Sequence, residues 1–214
     1  MSKNFINFSD LTKKDIFDLI ELANNFKPED ALDYRNENLF PDKKIVSMFC
    51  EPSTRTKLSF EIAAHNLGAK FIDFDLPNSS INKGETLEDT LGALEMMGVD
   101  LCILRHTESV IHDLVKKFSN MQFINAGEGS ISHPTQTLID LMTIHESKEN
   151  FENLNISIVG DLDHSRVVAS FPSVPCLHFR SFTQRTTTTA ASALTWRSEP
   201  ATTSSRLKGA NQLC

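Results

Sequence analysis

Three hydroxyls and a guanidinium fall on four consecutive residues, Ser53-Thr54-Arg55-Thr56. They follow the apolar run Ile45-Val46-Ser47-Met48-Phe49-Cys50 and the corner Glu51-Pro52, and they precede the helix-like stretch Lys57-Leu58-Ser59-Phe60-Glu61-Ile62-Ala63-Ala64. A strand, a corner and a helix start carrying such groups can hold a phosphate. Backbone N–H groups at a helix N-terminus have no partner inside the helix, the helix dipole is positive there, and an arginine can grip two anionic oxygens at once. Ser and Thr are also the ordinary N-cap residues. On the tetrapeptide alone, capping is the more common explanation and both readings stay open.

Further polar residues recur at comparable places. Arg105 and His106 follow an apolar run at 100–104, His133-Pro134-Thr135-Gln136 opens the next helix-like stretch, and Gly160-Asp161-Leu162-Asp163-His164-Ser165-Arg166 follows the run at 156–160. The loop Asn82-Lys83-Gly84-Glu85-Thr86 adds a lysine beside a glycine. Guanidiniums for charge, hydroxyls and amides for geometry, and a histidine to polarise a carbonyl suit a small phosphate-bearing molecule. Each has a plainer reading: Arg105 as a strand-end surface charge, His133 as a cap, Lys83-Gly84-Glu85 as a solvated turn. His106, Asp163 and His164 are read as structural or exposed. Arg166 at a helix start is disfavoured by the dipole, which points to an anion nearby. No Walker loop or dinucleotide fingerprint is present, and Gly127-Glu128-Gly129 is too short to count as one.

The elements that must position these residues alternate in type. Strands are expected at 45–50, 70–74, 100–104, 121–125 and 156–160, with helices at about 54–67, 86–97, 108–118 and 134–147. An opening helix is expected with Ser9 as N-cap and Leu11, Ile16, Leu19, Ile20 and Leu22 as its apolar positions. Gly68 and Gly98 suit helix C-caps, and Pro134 suits a first helical position. Short apolar strands alternating with helices specify an α/β fold, three layers with a parallel sheet flanked by helices. Ligands of such folds collect at the carboxyl ends of the strands.

The chain has 214 residues, 40% hydrophobic and 23% charged, as in an ordinary globular protein. A formal charge of −7 argues against a nucleic-acid surface. Cys50, Cys102, Cys176 and Cys214 lack metal-ligand or redox spacing, which favours a reduced, cytoplasmic setting. No membrane span or secretory segment is expected. Residue usage changes near 169: residues 1–169 carry 27 acids against 16 bases, whereas 170–214 carry one acid, Glu199, against five bases and 15 Ser or Thr. That tail offers little to bury, so disorder is the expectation for it.

The segment Phe49–Glu61 resembles the carbamoyl-phosphate signature of the aspartate and ornithine carbamoyltransferases. Lys83-Gly84-Glu85-Thr86-Leu87-Glu88-Asp89-Thr90 resembles the mobile loop of the aspartate branch. His133-Pro134-Thr135-Gln136 is similar to that branch too, since ornithine enzymes typically carry cysteine at Thr135. Gly160-Asp161-Leu162 with Ser165-Arg166 resembles the strand that opens the family's second domain. The likeness runs from about residue 5 to 169. It implies attack of the aspartate amine on carbamoyl phosphate, giving N-carbamoyl-L-aspartate and phosphate in pyrimidine synthesis, with no metal or organic cofactor. Ser53, Thr54, Arg55 and Thr56 would hold the phosphate with Arg105, while His133 and Gln136 would orient the carbamoyl group. Arg55, Arg105 and His133 would carry the catalysis. Lys83 would reach a neighbouring subunit's site in a trimer, which regulatory chains join in some members, and Arg166 would contact an aspartate carboxylate.

The family's second domain, about as long as its first, is not recognisable after Val168-Ala169. The domain expectation is therefore 1–150 for carbamoyl phosphate, 151–169 for a truncated start of the aspartate domain, and 170–214 for an unrelated tail of the kind an out-of-frame reading would produce. Weak carbamoyl-phosphate binding with little turnover is expected of such a chain. An ornithine enzyme and a non-catalytic binding or assembly module are the alternatives.

Overall fold

The computed structural model describes residues 4–26, 38–76, 79, 83–148, 151, 154–159, 165–171, 174 and 193–197. Strands β1 (Lys44–Phe49), β2 (Lys70–Phe74), β3 (Leu101–His106) and β4 (Gln122–Glu128) form a parallel sheet in the order β2-β1-β3-β4. Helices α1 (Lys13–Asn24), α2 (Thr54–Asn66), α3 (Leu87–Met96), the single turn α4 (Ile111–Leu114) and α5 (Pro134–Lys148) surround it. The three-layer expectation therefore holds.

Side-chain alternation divides the sheet into two faces. Val46 and Met48 of β1, with Cys102 and Leu104 of β3, enter one core with Leu91 and Leu94 of α3. Ile45 and Ile103 enter the other with Ala64 of α2 and Ala126. Arg105 is two residues beyond Ile103, so alternation directs it to the face that α2 covers. A third cluster joins Ile16 and Ile20 of α1 to Leu141 of α5 and to Phe151, Phe171 and Val174.

Several local expectations change. Ser9 lies in a 3-10 turn, Phe8–Asp10, and the N-cap of α1 is Thr12, whose hydroxyl accepts from the Asp15 N–H at 3.2 Å while Asp15 accepts from the Thr12 N–H at 2.8 Å. Such a reciprocal capping box satisfies two helix-end donors together. The helix expected over 108–118 is only α4 followed by a 3-10 turn, Val115–Lys117. Gly68 and Gly98 hold φ of +75° and +76° at their helix ends, and Pro134 is the first residue of α5, as expected.

The fifth strand, β5 (Asn155–Val159), does not join the parallel sheet. It pairs antiparallel with β6 (Ala193–Arg197) in a separate two-stranded sheet. The free edge of β4 is already taken: the Phe5 N–H donates to Phe123 O and the Asn125 N–H to Phe5 O, each at 2.9 Å. Most of the expected tail lies outside the described residues. Ala193–Arg197 is a strand whose Thr195 and Trp196 favour extended backbone. Helix α6 (Arg166–Ser170) runs into Phe171, 4% exposed, and Val174, 2% exposed, so packed structure continues past residue 169. Gly160 to His164 lie outside the described residues.

Candidate functional site

The carboxyl ends of β1 and β3, the start of α2, the start of α5 and the start of α6 enclose an open cleft of about 1000 Å3. Ser53, Thr54, Arg55, Thr56, Arg105, His133, Gln136 and Arg166 all line it. Eight of the nine residues singled out from the sequence are thus brought together. Lys83 is exposed and does not line the cleft.

Ser53 occupies the N-cap position of α2 with extended backbone, φ −157° and ψ 91°, yet its side chain makes no capping hydrogen bond. The first turn of α2 carries no acidic residue. Capping therefore does not account for Ser53, and a positive helix end faces the cleft without a countercharge from its own turn.

Arg105 is 5% exposed and held on several sides. Its Nη2 lies 2.5 Å from Glu51 Oε1, and its Nη1 donates to Ala126 O at 2.9 Å. Its Nε is buried without a partner among the described residues. The same Glu51 Oε1 also accepts from Arg166 Nη1 at 2.6 Å. One carboxylate thus serves two guanidiniums, with Arg55 as a third cation on the cleft wall. This accounts for Arg166 at the start of α6, because Glu51 supplies the neighbouring negative charge. Burial pushes the Glu51 carboxyl up, but the Arg166 hydrogen bond and the charges of both arginines outweigh it, leaving it below the usual carboxylate range.

The bend that seats Arg105 comes from β4. Leu104 pairs with Asn125 but His106 with Glu128, so β4 carries an extra residue opposite Arg105. Gly127 sits in that bulge at φ +125°, and a Cβ there would stand 2.7 Å from Arg105 Nη1. Asn125 fixes the loop, its Oδ1 accepting from the Gly127 N–H at 2.8 Å and its Nδ2 donating to Ser132 Oγ at 2.9 Å.

His133 is 7% exposed. Burial, then the charges of Arg105 and Arg166, push it down to about 4, so the ring is neutral near pH 7. Its Nδ1 lies 3.4 Å from the Gln136 backbone N and 3.3 Å from Thr135 Oγ1. Nε2 in turn lies 3.4 Å from Arg105 Nη1. A backbone N–H and a guanidinium N–H can each only donate, so a donor faces each ring nitrogen and the neutral ring accepts from one of them. The His133 N–H donates to Ser170 Oγ at 2.9 Å, and Ser170 Oγ donates to Arg166 O at 2.9 Å, tying the histidine to α6. Gln136 Nε2 donates to Asp140 Oδ1 at 3.1 Å.

Three cations, two hydroxyl-bearing turns and a neutral imidazole can bind a phosphate beside a polarised carbonyl. The sequence reading did not single out Glu51, Gly127 or Asp140. Glu51 lay inside the recognised segment without a partner to give it a role. Gly127 showed only as a short glycine pair, and its positive φ depends on the bulge. Asp140 is four residues after Gln136 on a helix, a spacing that places both on one face. Among the described residues no cluster of metal-binding side chains occurs, and no helix is long and apolar enough to cross a membrane.

Residues 3–146 match the model of the aspartate/ornithine carbamoyltransferase carbamoyl-P binding domain. The aspartate carbamoyltransferase catalytic subunit of Campylobacter fetus is 43% identical over 170 residues, covering 79% of this chain and 55% of that protein. That of Staphylococcus saprophyticus is 44% identical over 167 residues, covering 78% and 54%. Trypanosoma cruzi aspartate transcarbamoylase in complex with N-(phosphonacetyl)-L-aspartic acid superposes with a TM-score of 0.74 at 31% identity, over 80% of this chain and 53% of that one. The chain spans about half the length of the curated relatives it matches.

Proposed function

The chain belongs to the aspartate/ornithine carbamoyltransferase family, and on that premise we propose that its cleft binds carbamoyl phosphate for transfer of the carbamoyl group to L-aspartate. The amine nitrogen attacks the carbonyl carbon, the bond from that carbon to the phosphate oxygen breaks, phosphate leaves with the electron pair, and the amine loses a proton. N-carbamoyl-L-aspartate and phosphate result, a step of pyrimidine synthesis.

The observation that carries this reading is the buried Arg105 guanidinium beside the neutral His133 ring, with Nη1 and Nε2 3.4 Å apart at the cleft wall. A carbonyl oxygen set against this pair is stabilised by the guanidinium as negative charge develops on it. Ser53, Thr54, Arg55 and Thr56 at the start of α2 take the phosphate with Arg105, the uncapped N-terminus adding its dipole. Gln136 orients the carbamoyl group, and Arg166 contacts a carboxylate of aspartate once its hold on Glu51 is shared. Fixing both reactants in one cleft can supply about 7–11 kcal/mol where orientation is good.

Lys83, exposed and away from this cleft, fits a role in a neighbouring subunit's site within a homotrimer. Leu58, Ile62 and Ile72, exposed on α2 and the edge strand β2, support an assembled state. Residues 1–150 form the carbamoyl-phosphate domain in this reading and 151–169 lead toward an aspartate-binding part, in a cytoplasmic enzyme.

Calorimetry of the full chain with two bisubstrate analogues tests the choice of amine. N-(phosphonacetyl)-L-aspartate is expected to bind more tightly than N-(phosphonacetyl)-L-ornithine. The reverse order would assign the ornithine reaction, and binding of neither would remove the reading.

A further inference from the structure

Among the side chains that line the cleft, the guanidiniums of Arg55, Arg105 and Arg166 can only donate. An –NH2 group on a ligand needs the opposite, a fixed acceptor. Gln136 can provide one, but a glutamine amide has an oxygen and an –NH2 of nearly equal size, and only its neighbours decide which way it faces.

Asp140 makes that decision. Gln136 and Asp140 are four residues apart on α5, both line the cleft, and Gln136 Nε2 lies 3.1 Å from Asp140 Oδ1. An ionised carboxylate accepts and cannot donate, so the amide must present its –NH2 to Asp140. Gln136 Oε1 then has no partner among the described residues and is open to the cleft. Asp140 is half-buried, and Gln136 is the side chain that stabilises its charge against that burial. The two therefore hold each other in one orientation.

We propose that Asp140 is a positioning residue: it locks the Gln136 amide oxygen toward the ligand, so that the site selects a phosphorylated molecule ending in an –NH2 over one ending in a methyl of the same shape. This inference rests on the carbamoyl-phosphate reading of the cleft and names what sets its preference.

The test uses calorimetry of the full chain with inorganic phosphate, phosphonoacetamide and phosphonoacetone, the last two differing only by –NH2 against –CH3. The native chain is expected to prefer the amide by about threefold to tenfold, the worth of one neutral hydrogen bond. Asp140→Asn lets the Gln136 amide face either way, so the preference should fall to about one while phosphate affinity changes less than about twofold. Asp140→Glu keeps an acceptor-only group and should restore much of the preference. If Asp140→Asn shows no native near-ultraviolet circular dichroism, Gln136→Leu takes its place and must also bring the preference to about one. A native preference retained in Asp140→Asn or Gln136→Leu overturns the proposal. So does an equal loss of phosphate and phosphonoacetamide affinity, which would mark a merely structural residue. A native chain that binds phosphate without preferring the amide overturns this inference alone; one that binds none of the three overturns the reading of the cleft.

Discussion

Arg105 Nη1 lies 3.4 Å from His133 Nε2, and the Gln136 backbone N lies 3.4 Å from His133 Nδ1, so a donor faces each nitrogen of the ring. The histidine can stand so near a guanidinium only as a neutral ring, and burial among cations holds it down to about 4.

Stability should report that neutral histidine. The unfolded chain takes up a proton near pH 6.5 and the folded chain only near pH 4, so the unfolded state holds more protons in between. Above pH 6.5 the histidine's contribution is fully present, and it is lost progressively as the pH falls toward 4. Urea unfolding across this window should show a midpoint that falls with acidity, and His133→Gln should flatten the slope. An equal slope in the variant would contradict the neutral ring.

Gly127 and Arg105 should prove inseparable. At φ +125° an alanine is strained, and its Cβ would lie 2.7 Å from Arg105 Nη1 and 3.4 Å from Arg166 Nη1. Gly127→Ala should cost about 1–3 kcal/mol in stability and lower phosphate affinity at least tenfold by calorimetry. Native affinity in a folded variant would show that the guanidinium gives way freely.

Ser53 and Thr12 occupy the same formal position at two helices and should answer differently to alanine. Thr12 takes part in a capping box, so Thr12→Ala should lower stability by about 1 kcal/mol. Ser53 makes no side-chain cap, so Ser53→Ala should cost less than about 0.5 kcal/mol in thermal unfolding while weakening phosphate binding. Equal destabilisation by both changes would return Ser53 to an ordinary cap.

Phe171 tests how far the packed core extends. It is buried with Ile16, Ile20 and Leu141, two residues beyond the point where residue usage changes. Phe171→Ala should cost about 3–5 kcal/mol in urea unfolding, as for other large core truncations. A cost below about 0.5 kcal/mol would place residue 171 outside the cooperative core.

Most of the site was legible in the sequence because parallel strands deliver their carboxyl ends to one edge, so residues just after each apolar run converge. Ser53 to Thr56, Arg105, His133 and Gln136 could be placed by that rule alone. What remained hidden depends on contacts distant in sequence. Glu51 meets Arg105 and Arg166 only after folding, across 54 and 115 positions. Phe5 pairs with the edge of β4 and β5 lies outside the parallel sheet, arrangements that no local pattern announces. Composition marked a break at 169, but it averages over a segment in which Phe171, Val174 and the strand Ala193–Arg197 are individually competent to pack or pair.

The most direct measurement is calorimetric titration of the full chain with carbamoyl phosphate, native against Arg55→Ala. Arg55 is exposed at the start of α2, so its removal leaves the fold intact and deletes one charge-assisted contact. The cleft reading predicts saturable binding by the native chain and an affinity lower by at least tenfold in the variant, the effect of losing about 1.5–3 kcal/mol. Equal affinities, or no binding by the native chain, would contradict it.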